Sequence, residues 1–105
     1  MNKKKIRQAL KLVEYFNSIG KLGAQGVYRD KSDKRCILGC LFDDSLLSKL
    51  KKNAEDSSDI SFLYRKYPRL ENHLGMTMGE AQRMQDLNDF CSSLEALDVL
   101  RRWAK

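Results

Sequence analysis

The chain has 105 residues, of which 42% are hydrophobic and 32% are charged. This length suits one domain, and the composition excludes a disordered tail and a membrane span, which needs about 18 consecutive apolar residues. The net charge of +6 is uneven. Residues 1–35 hold ten basic and three acidic residues, net +7, whereas residues 36–105 hold ten basic and eleven acidic residues, net −1. The basic N-terminal third indicates either an acidic partner or a solvated face.

In the first half of the chain, residues 3–19 have helical periodicity, and Gly20 is placed to end that helix. The following stretch is rich in glycine and polar residues, and Val27-Tyr28 favours a short extended segment or a small hairpin. Residues 35–52 are helical again, with a break at residues 43–45 as an alternative. Gly39 lies inside this pattern, where a glycine often permits a close approach of another backbone.

In the second half, Asp59 is placed to cap a helix that Pro68 stops. Two capping boxes follow, Thr77-Met78-Gly79-Glu80 and Ser92-Ser93-Leu94-Glu95, and each predicts the start of a short helix. The sequence therefore predicts a mainly α single domain over residues 1–105. We expect a compact bundle of four to six helices with a short extended segment or small hairpin near Val27-Tyr28.

The chain has three cysteines, Cys36, Cys40 and Cys91. Charged residues interrupt any apolar signal-peptide run near the start, which favours reduced thiols and a cytoplasmic location. Cys36 is the candidate reactive thiol, because it is expected near a helix N-terminus beside Lys34 and Arg35, where dipole and cations would lower its pKa. A buried structural cysteine is the alternative. The spacings match no zinc motif, and no catalytic set, metal site or cofactor is predicted.

Two surfaces are candidates for binding. The first is a basic surface on the N-terminal third, formed by Lys3, Lys4, Lys5, Arg7, Lys11, Arg29, Lys34 and Arg35. The second interleaves aromatic and basic residues: Tyr64, Arg65, Lys66, Tyr67 and Arg69. Cations could contact phosphates and the rings could stack on bases. In the alternative interpretation, Tyr64 and Tyr67 face the core and the charged residues are only solvated.

Three short motifs occur together: Gln25-Gly26-Val27-Tyr28, Cys36-Ile37-Leu38-Gly39-Cys40-Leu41 and Leu87-Asn88-Asp89. In combination they resemble an uncharacterised family of small bacterial and phage proteins. The chain departs from that pattern in having Leu22-Gly23-Ala24 where an aromatic residue often precedes Gln-Gly. The resemblance implies that Cys36, Gly39, Asn88 and Asp89 belong together as a helix-packing and capping core, and it implies no activity.

The leading hypothesis is a non-enzymatic binding module for a protein partner, of the kind with which phages and mobile elements inhibit or adapt a host protein. One alternative is a small nucleic-acid-binding protein that uses its basic N-terminal helix. Another is a protein that sequesters an anionic nucleotide. No membrane partner is expected, and the oligomeric state is left open.

Overall fold

The structure is a computed structural model that describes residues 2–105, and in this range it has seven helices and no strand. In chain order the helices are α1 (Lys3–Ser18), α2 (Ile37–Leu41), α3 (Asp44–Lys52), α4 (Ile60–Lys66), α5 (Leu70–Leu74), α6 (Met78–Phe90) and α7 (Ser93–Trp103). The mainly α fold class is confirmed. There is one helix more than the upper end of the expected four to six, because residues 70–74 form a short helix after Pro68 rather than a turn.

Local signals at the helix ends explain most of these boundaries. Asp59 accepts a hydrogen bond from a backbone N–H two residues further on, at 2.9 Å, and starts α4. Thr77 and Glu80 form the complete reciprocal capping box of α6, and Ser92 accepts a bond from the first turn of α7. Gly20, with a φ of 72°, follows the end of α1. These side chains satisfy backbone groups that a helix leaves without intrahelical partners.

The core is assembled around the five-residue helix α2. This helix packs against α1 on one side and α6 on the other, while α7 packs on α1 and α4 packs on α6. Four of its five residues are buried: Ile37, Leu38, Gly39 and Cys40. Each fully buried Leu or Ile side chain contributes about 1.5–3 kcal/mol relative to an exposed one. A helix this short owes its stability to such packing rather than to its own propensity.

The segment between α1 and α2 is an irregular loop held by two isolated bridges, one joining Leu22 to Arg35 and the other joining Arg29 to Arg35. Val27 and Tyr28 form a bend, so the extended geometry is limited to these single bridges. A turn at residues 30–34 connects the two residues of the antiparallel bridge. Its ends are joined by a backbone hydrogen bond of 2.9 Å from the N–H of Asp30 to the carbonyl oxygen of Lys34. The loop thereby returns the chain to the start of α2.

Gly39 allows α2 to lie directly on the backbone of this loop. A Cβ atom at residue 39 would lie 1.9 Å from the carbonyl oxygen of Tyr28 and 2.8 Å from its carbonyl carbon. No side chain fits at that distance, so the expected close backbone approach is confirmed.

Candidate functional site

The outer face of α1 carries a stripe of exposed apolar side chains. Leu12 and Tyr15 on α1 and Ile19, the C-cap residue of α1, are 44%, 57% and 49% exposed, and their i, i+3, i+7 spacing places them on one side of the helix. Lys4 and Lys11 lie seven residues apart along the edge of this stripe. Neither lysine forms an ion pair with any residue of the described chain. We call these five residues the α1 face.

The remaining exposed members of the predicted basic surface differ in their contacts. Lys3 and Lys5 are exposed on α1, and Lys34 is exposed on the turn before α2. Arg7 is exposed too, but its Nε donates a hydrogen bond of 2.9 Å to the carbonyl oxygen of Ala104. Arg7 therefore ties α1 to the end of α7, while the three lysines remain available to solvent.

The prediction that Arg35 belongs to the basic surface is wrong, because this residue is only 8% exposed. Its guanidinium donates to the carbonyl oxygens of Gly39, at 3.2 Å, and Phe42, at 3.1 Å, and it pairs with Asp44. The last carbonyls of a helix lack intrahelical partners, so Arg35 acts as the C-terminal cap of α2. Arg29 is half-buried and pairs with the same carboxylate at 3.3 Å. Neither arginine is part of the exposed basic surface on α1.

The structure also contradicts the prediction that Cys36 is a reactive thiol. It is 4% exposed, and its Sγ accepts a hydrogen bond of 3.3 Å from the backbone N–H of Gly39 as the N-cap of α2. Burial raises the pKa of its thiol to about 11, so the expected lowering of that pKa is wrong. Burial likewise raises the pKa of Cys40 to about 12. Both thiols are free, buried packing groups in this fold.

A polar pocket of about 160 Å³ lies beside the start of α2. Its polar side chains come from the loop before α2, from the loop between α3 and α4 and from α6: Tyr28, Cys36, Asp56, Ser57, Ser58, Gln85, Asn88 and Asp89. The Oδ1 atom of Asn88 accepts a bond of 3.1 Å from Ile37 N–H, and the Oε1 atom of Gln85 accepts one of 2.9 Å from Ile60 N–H. Two of the lining side chains, Asn88 and Gln85, thus satisfy backbone groups at the starts of α2 and α4.

A second concavity, of about 480 Å³, lies between α3 and the segment that joins α4 to α5. We call it the α3–α5 groove. Its lining is largely apolar and includes Leu46, Tyr67, Pro68 and Leu70. The cationic or ionisable side chains of the lining are those of Lys49, Lys66, Arg69, His73 and Asp43. Its volume falls in the range of about 300–1,000 Å³ that small-molecule sites occupy.

Glu55 holds one side of the α3–α5 groove in place. Its carboxylate is buried, accepts a hydrogen bond of 2.7 Å from the hydroxyl of Tyr67 and pairs with Lys66 at 2.8 Å. The contacts with Lys66 and Tyr67 hold the pKa of Glu55 below its usual range. On the other side, the Nζ of Lys49 lies 4.9 Å from the centre of the Tyr67 ring. The ring and its flanking cations are thus fixed by the protein itself.

The predicted aromatic and basic surface is divided by the fold. Three of its members line the α3–α5 groove: Lys66, Tyr67 and Arg69. Arg65 is exposed but does not line it. Tyr64 is half-buried, its hydroxyl donates a bond of 2.8 Å to the carbonyl oxygen of Met76, and burial raises its pKa to about 12. The two tyrosines therefore do not form one continuous stacking surface.

Several residues of these two surfaces were not identified from the sequence. Lys49, Glu55 and His73 join the groove from other segments, and no local pattern connects them to Tyr67. Tyr15 and the two aliphatic residues of the α1 face could have been found, because a second apolar stripe beside the buried one is visible in the helical periodicity.

Within residues 2–105, no helix is long and apolar enough to cross a lipid bilayer. Over the same range, no three His, Cys, Asp or Glu side chains gather in an arrangement that could hold a metal ion. Comparison with models of protein families, with curated proteins and with solved structures finds no match to this chain.

Proposed function

We propose that this protein is a binding module that docks onto an acidic protein surface through the α1 face. The observation that carries the proposal is the combination, along one side of α1 and its C-cap, of three large exposed apolar side chains and neighbouring lysines that form no ion pair within residues 2–105. It is the protein-partner function expected from the basic N-terminal third, now assigned to one surface.

The physical argument follows from how protein interfaces are built. Their centres exclude water around aromatic and aliphatic side chains, and a tyrosine is a frequent energetic anchor. Tyr15 has this role in the proposal, and its ring is already oriented by an edge-to-face contact with Phe16 at 5.2 Å. Lys4 and Lys11 would lie at the rim, where charge increases the association rate and selects an acidic partner.

In this role the protein acts by covering a surface of its partner, as a phage-encoded inhibitor or adaptor of a host protein does. We place this activity in the cytoplasm. Such a function needs no reacting group, and the buried thiol of Cys36 has no part in it.

Photo-crosslinking tests the proposal. A photoreactive amino acid at position 8, an exposed position one turn before Leu12, is irradiated in a cell lysate, and any protein adduct is identified, purified and titrated against the unmodified chain. The α1-face variant Lys4→Glu/Lys11→Glu is compared with the control Lys51→Glu/Arg65→Glu, which makes the same charge change on exposed residues elsewhere. A third variant, Leu12→Ser/Tyr15→Ser, removes the apolar contribution.

We expect the purified partner to bind with an affinity that falls as salt is raised. The α1-face charge variant should weaken binding at least about tenfold and the Ser variant by a similar factor, a loss of about 1.4 kcal/mol. The control should stay within about twofold. Equal weakening by both charge variants would contradict the proposal. So would an adduct with nucleic acid in place of protein, which would favour the nucleic-acid alternative.

A further inference from the structure

We propose that the α3–α5 groove is a binding site for a nucleoside monophosphate, separate from the α1 face. The groove has a largely apolar lining that contains the Tyr67 ring, and the same lining includes the cationic side chains of Lys49, Lys66 and Arg69. A nucleotide presents the complementary pair of features, a planar base and a compact dianion.

The phosphate part of the argument rests on Lys49 and Arg69. They project from different segments, line the same concavity, and form no ion pair with any acidic side chain in the part of the chain that the structure describes. The guanidinium of an arginine binds phosphate oxygens in a bidentate manner, and a lysine adds a point charge. Two cations that line one concavity and have no ionic partner in the described part of the chain favour an anion there.

The one acidic side chain in the groove is already engaged. The carboxylate of Asp43 accepts a hydrogen bond of 2.8 Å from the N–H of Leu46 and lies 3.6 Å from the Nε2 of His73. It therefore caps α3 and lies beside the imidazole of His73.

The base part of the argument rests on Tyr67. Its hydroxyl donates a hydrogen bond to Glu55, and its ring lines the groove together with Pro68 and Leu70. The Nζ of Lys49 lies 4.9 Å from the centre of this ring, so a base that stacks on the ring displaces that ammonium toward the phosphate.

A single nucleotide fits this arrangement better than a nucleic-acid strand. A strand needs a second ring beside the first to stack its next base, and the nearby Tyr64 is half-buried with its hydroxyl bound to the backbone of Met76. The groove thus offers one aromatic platform and one pair of cations that lack acidic partners.

Isothermal titration calorimetry of the full chain tests this proposal with AMP, GMP, CMP and UMP, with the corresponding uncharged nucleosides, with inorganic phosphate and with a single-stranded oligonucleotide. The groove variant Lys49→Gln/Arg69→Gln is paired with the control Lys51→Gln/Arg65→Gln, which removes the same charge from exposed residues outside the groove. Tyr67→Leu removes the ring, whereas Tyr67→Phe retains it. Thermal melting shows that each variant is folded.

We expect at least one nucleoside monophosphate to bind, and its nucleoside and inorganic phosphate to bind at least tenfold more weakly. The groove variant and Tyr67→Leu should each weaken binding about tenfold or more, while the control and Tyr67→Phe stay within about threefold. Binding should survive in the α1-face variant Lys4→Glu/Lys11→Glu, which separates this site from the proposed protein interface.

Three results would overturn the proposal. One is that none of the four nucleotides binds. Another is that the groove variant and its control weaken binding equally, because the attraction would then be that of the general positive charge. The third is that only the oligonucleotide binds, because the groove would then be part of a nucleic-acid surface.

Discussion

The surroundings of α2 and the α1 face both contain basic residues from the same N-terminal third, yet the two regions use them in opposite ways. Arg35 is buried, donates to the carbonyl oxygens of Gly39 and Phe42, and lies with its guanidinium carbon 4.3 Å from the centre of the Phe16 ring. Lys11 is exposed on α1 and has no ionic partner among residues 2–105.

The difference follows from the lengths and positions of the two helices. A helix leaves backbone groups at each end without partners, and at an exposed end water can satisfy them. Most of α2 is buried, so side chains must satisfy them instead: Cys36 and Asn88 at its start and Arg35 at its end. The outer side of the sixteen-residue α1 faces solvent, and its lysines there are not used to satisfy buried backbone groups. They remain available for a partner. A positive charge in the sequence thus has no fixed role until the burial of its surroundings is known.

The largest change in stability should come from adding one methyl group to Gly39 of α2. Gly39→Ala places a Cβ 1.9 Å from the carbonyl oxygen of Tyr28, and the loop backbone must move. We expect a loss of at least about 3 kcal/mol in the free energy of unfolding, measured by urea denaturation, or failure to fold. The control Gly79→Ala has open space around the new methyl and should stabilise α6 by up to about 1 kcal/mol. Similar values for both variants would contradict the close packing of α2 on the loop.

Removing the charge of Arg35 should have the next largest effect. Arg35→Met keeps an apolar stem against Phe16 but leaves the carbonyls of Gly39 and Phe42 without their donor. We expect a loss of about 2–4 kcal/mol, because hydrogen bonds to charged groups are strong and buried unpaired acceptors are costly. Lys11→Met removes the same charge from the α1 face and should change stability by less than about 0.5 kcal/mol. If the two variants lost equal stability in the same urea titration, the contrast between the regions would be wrong.

The labelling rates of the cysteine thiols test whether the residues in and next to α2 are buried, without a measurement of stability. Raised pKa values of about 11 for Cys36 and about 12 for Cys40 leave almost no thiolate at pH 8. We expect iodoacetamide to label Cys36 and Cys40 at least roughly 100-fold more slowly than an ordinary thiol of pKa about 8.5. Half-buried Cys91 should be labelled first. Peptide mass spectrometry over a time course measures the three rates, and labelling in urea is the control that should equalise them. Selective labelling of native Cys36 would restore it as a reactive thiol.

The sequence predicted features that depend on near neighbours. Caps at Asp59 and Thr77 and the end of α1 at Gly20 involve backbone groups within a few residues, so the pattern alone locates them. Burial of Arg35 and of Cys36 was not predictable in this way, because it depends on the loop, α1 and α6 meeting around α2. The α3–α5 groove was predicted only in part for the same reason: its residues come from three segments that tertiary packing brings together.

The smallest expected effect concerns Glu55, the buried carboxylate that anchors the α3–α5 groove as Arg35 anchors α2. Its folded-state pKa lies below its usual range through contacts with Lys66 and Tyr67, so at acidic pH the folded state binds fewer protons than the unfolded state. The stability from this carboxylate is therefore complete above about pH 4.3, the ordinary value for glutamate, and is lost as the pH falls through the lower folded-state pKa. Urea midpoints of the wild type and Glu55→Gln, measured from pH 7 to pH 2.5, should converge at the acid end. A difference that stays constant over that range would show that the ion pair does not stabilise the groove.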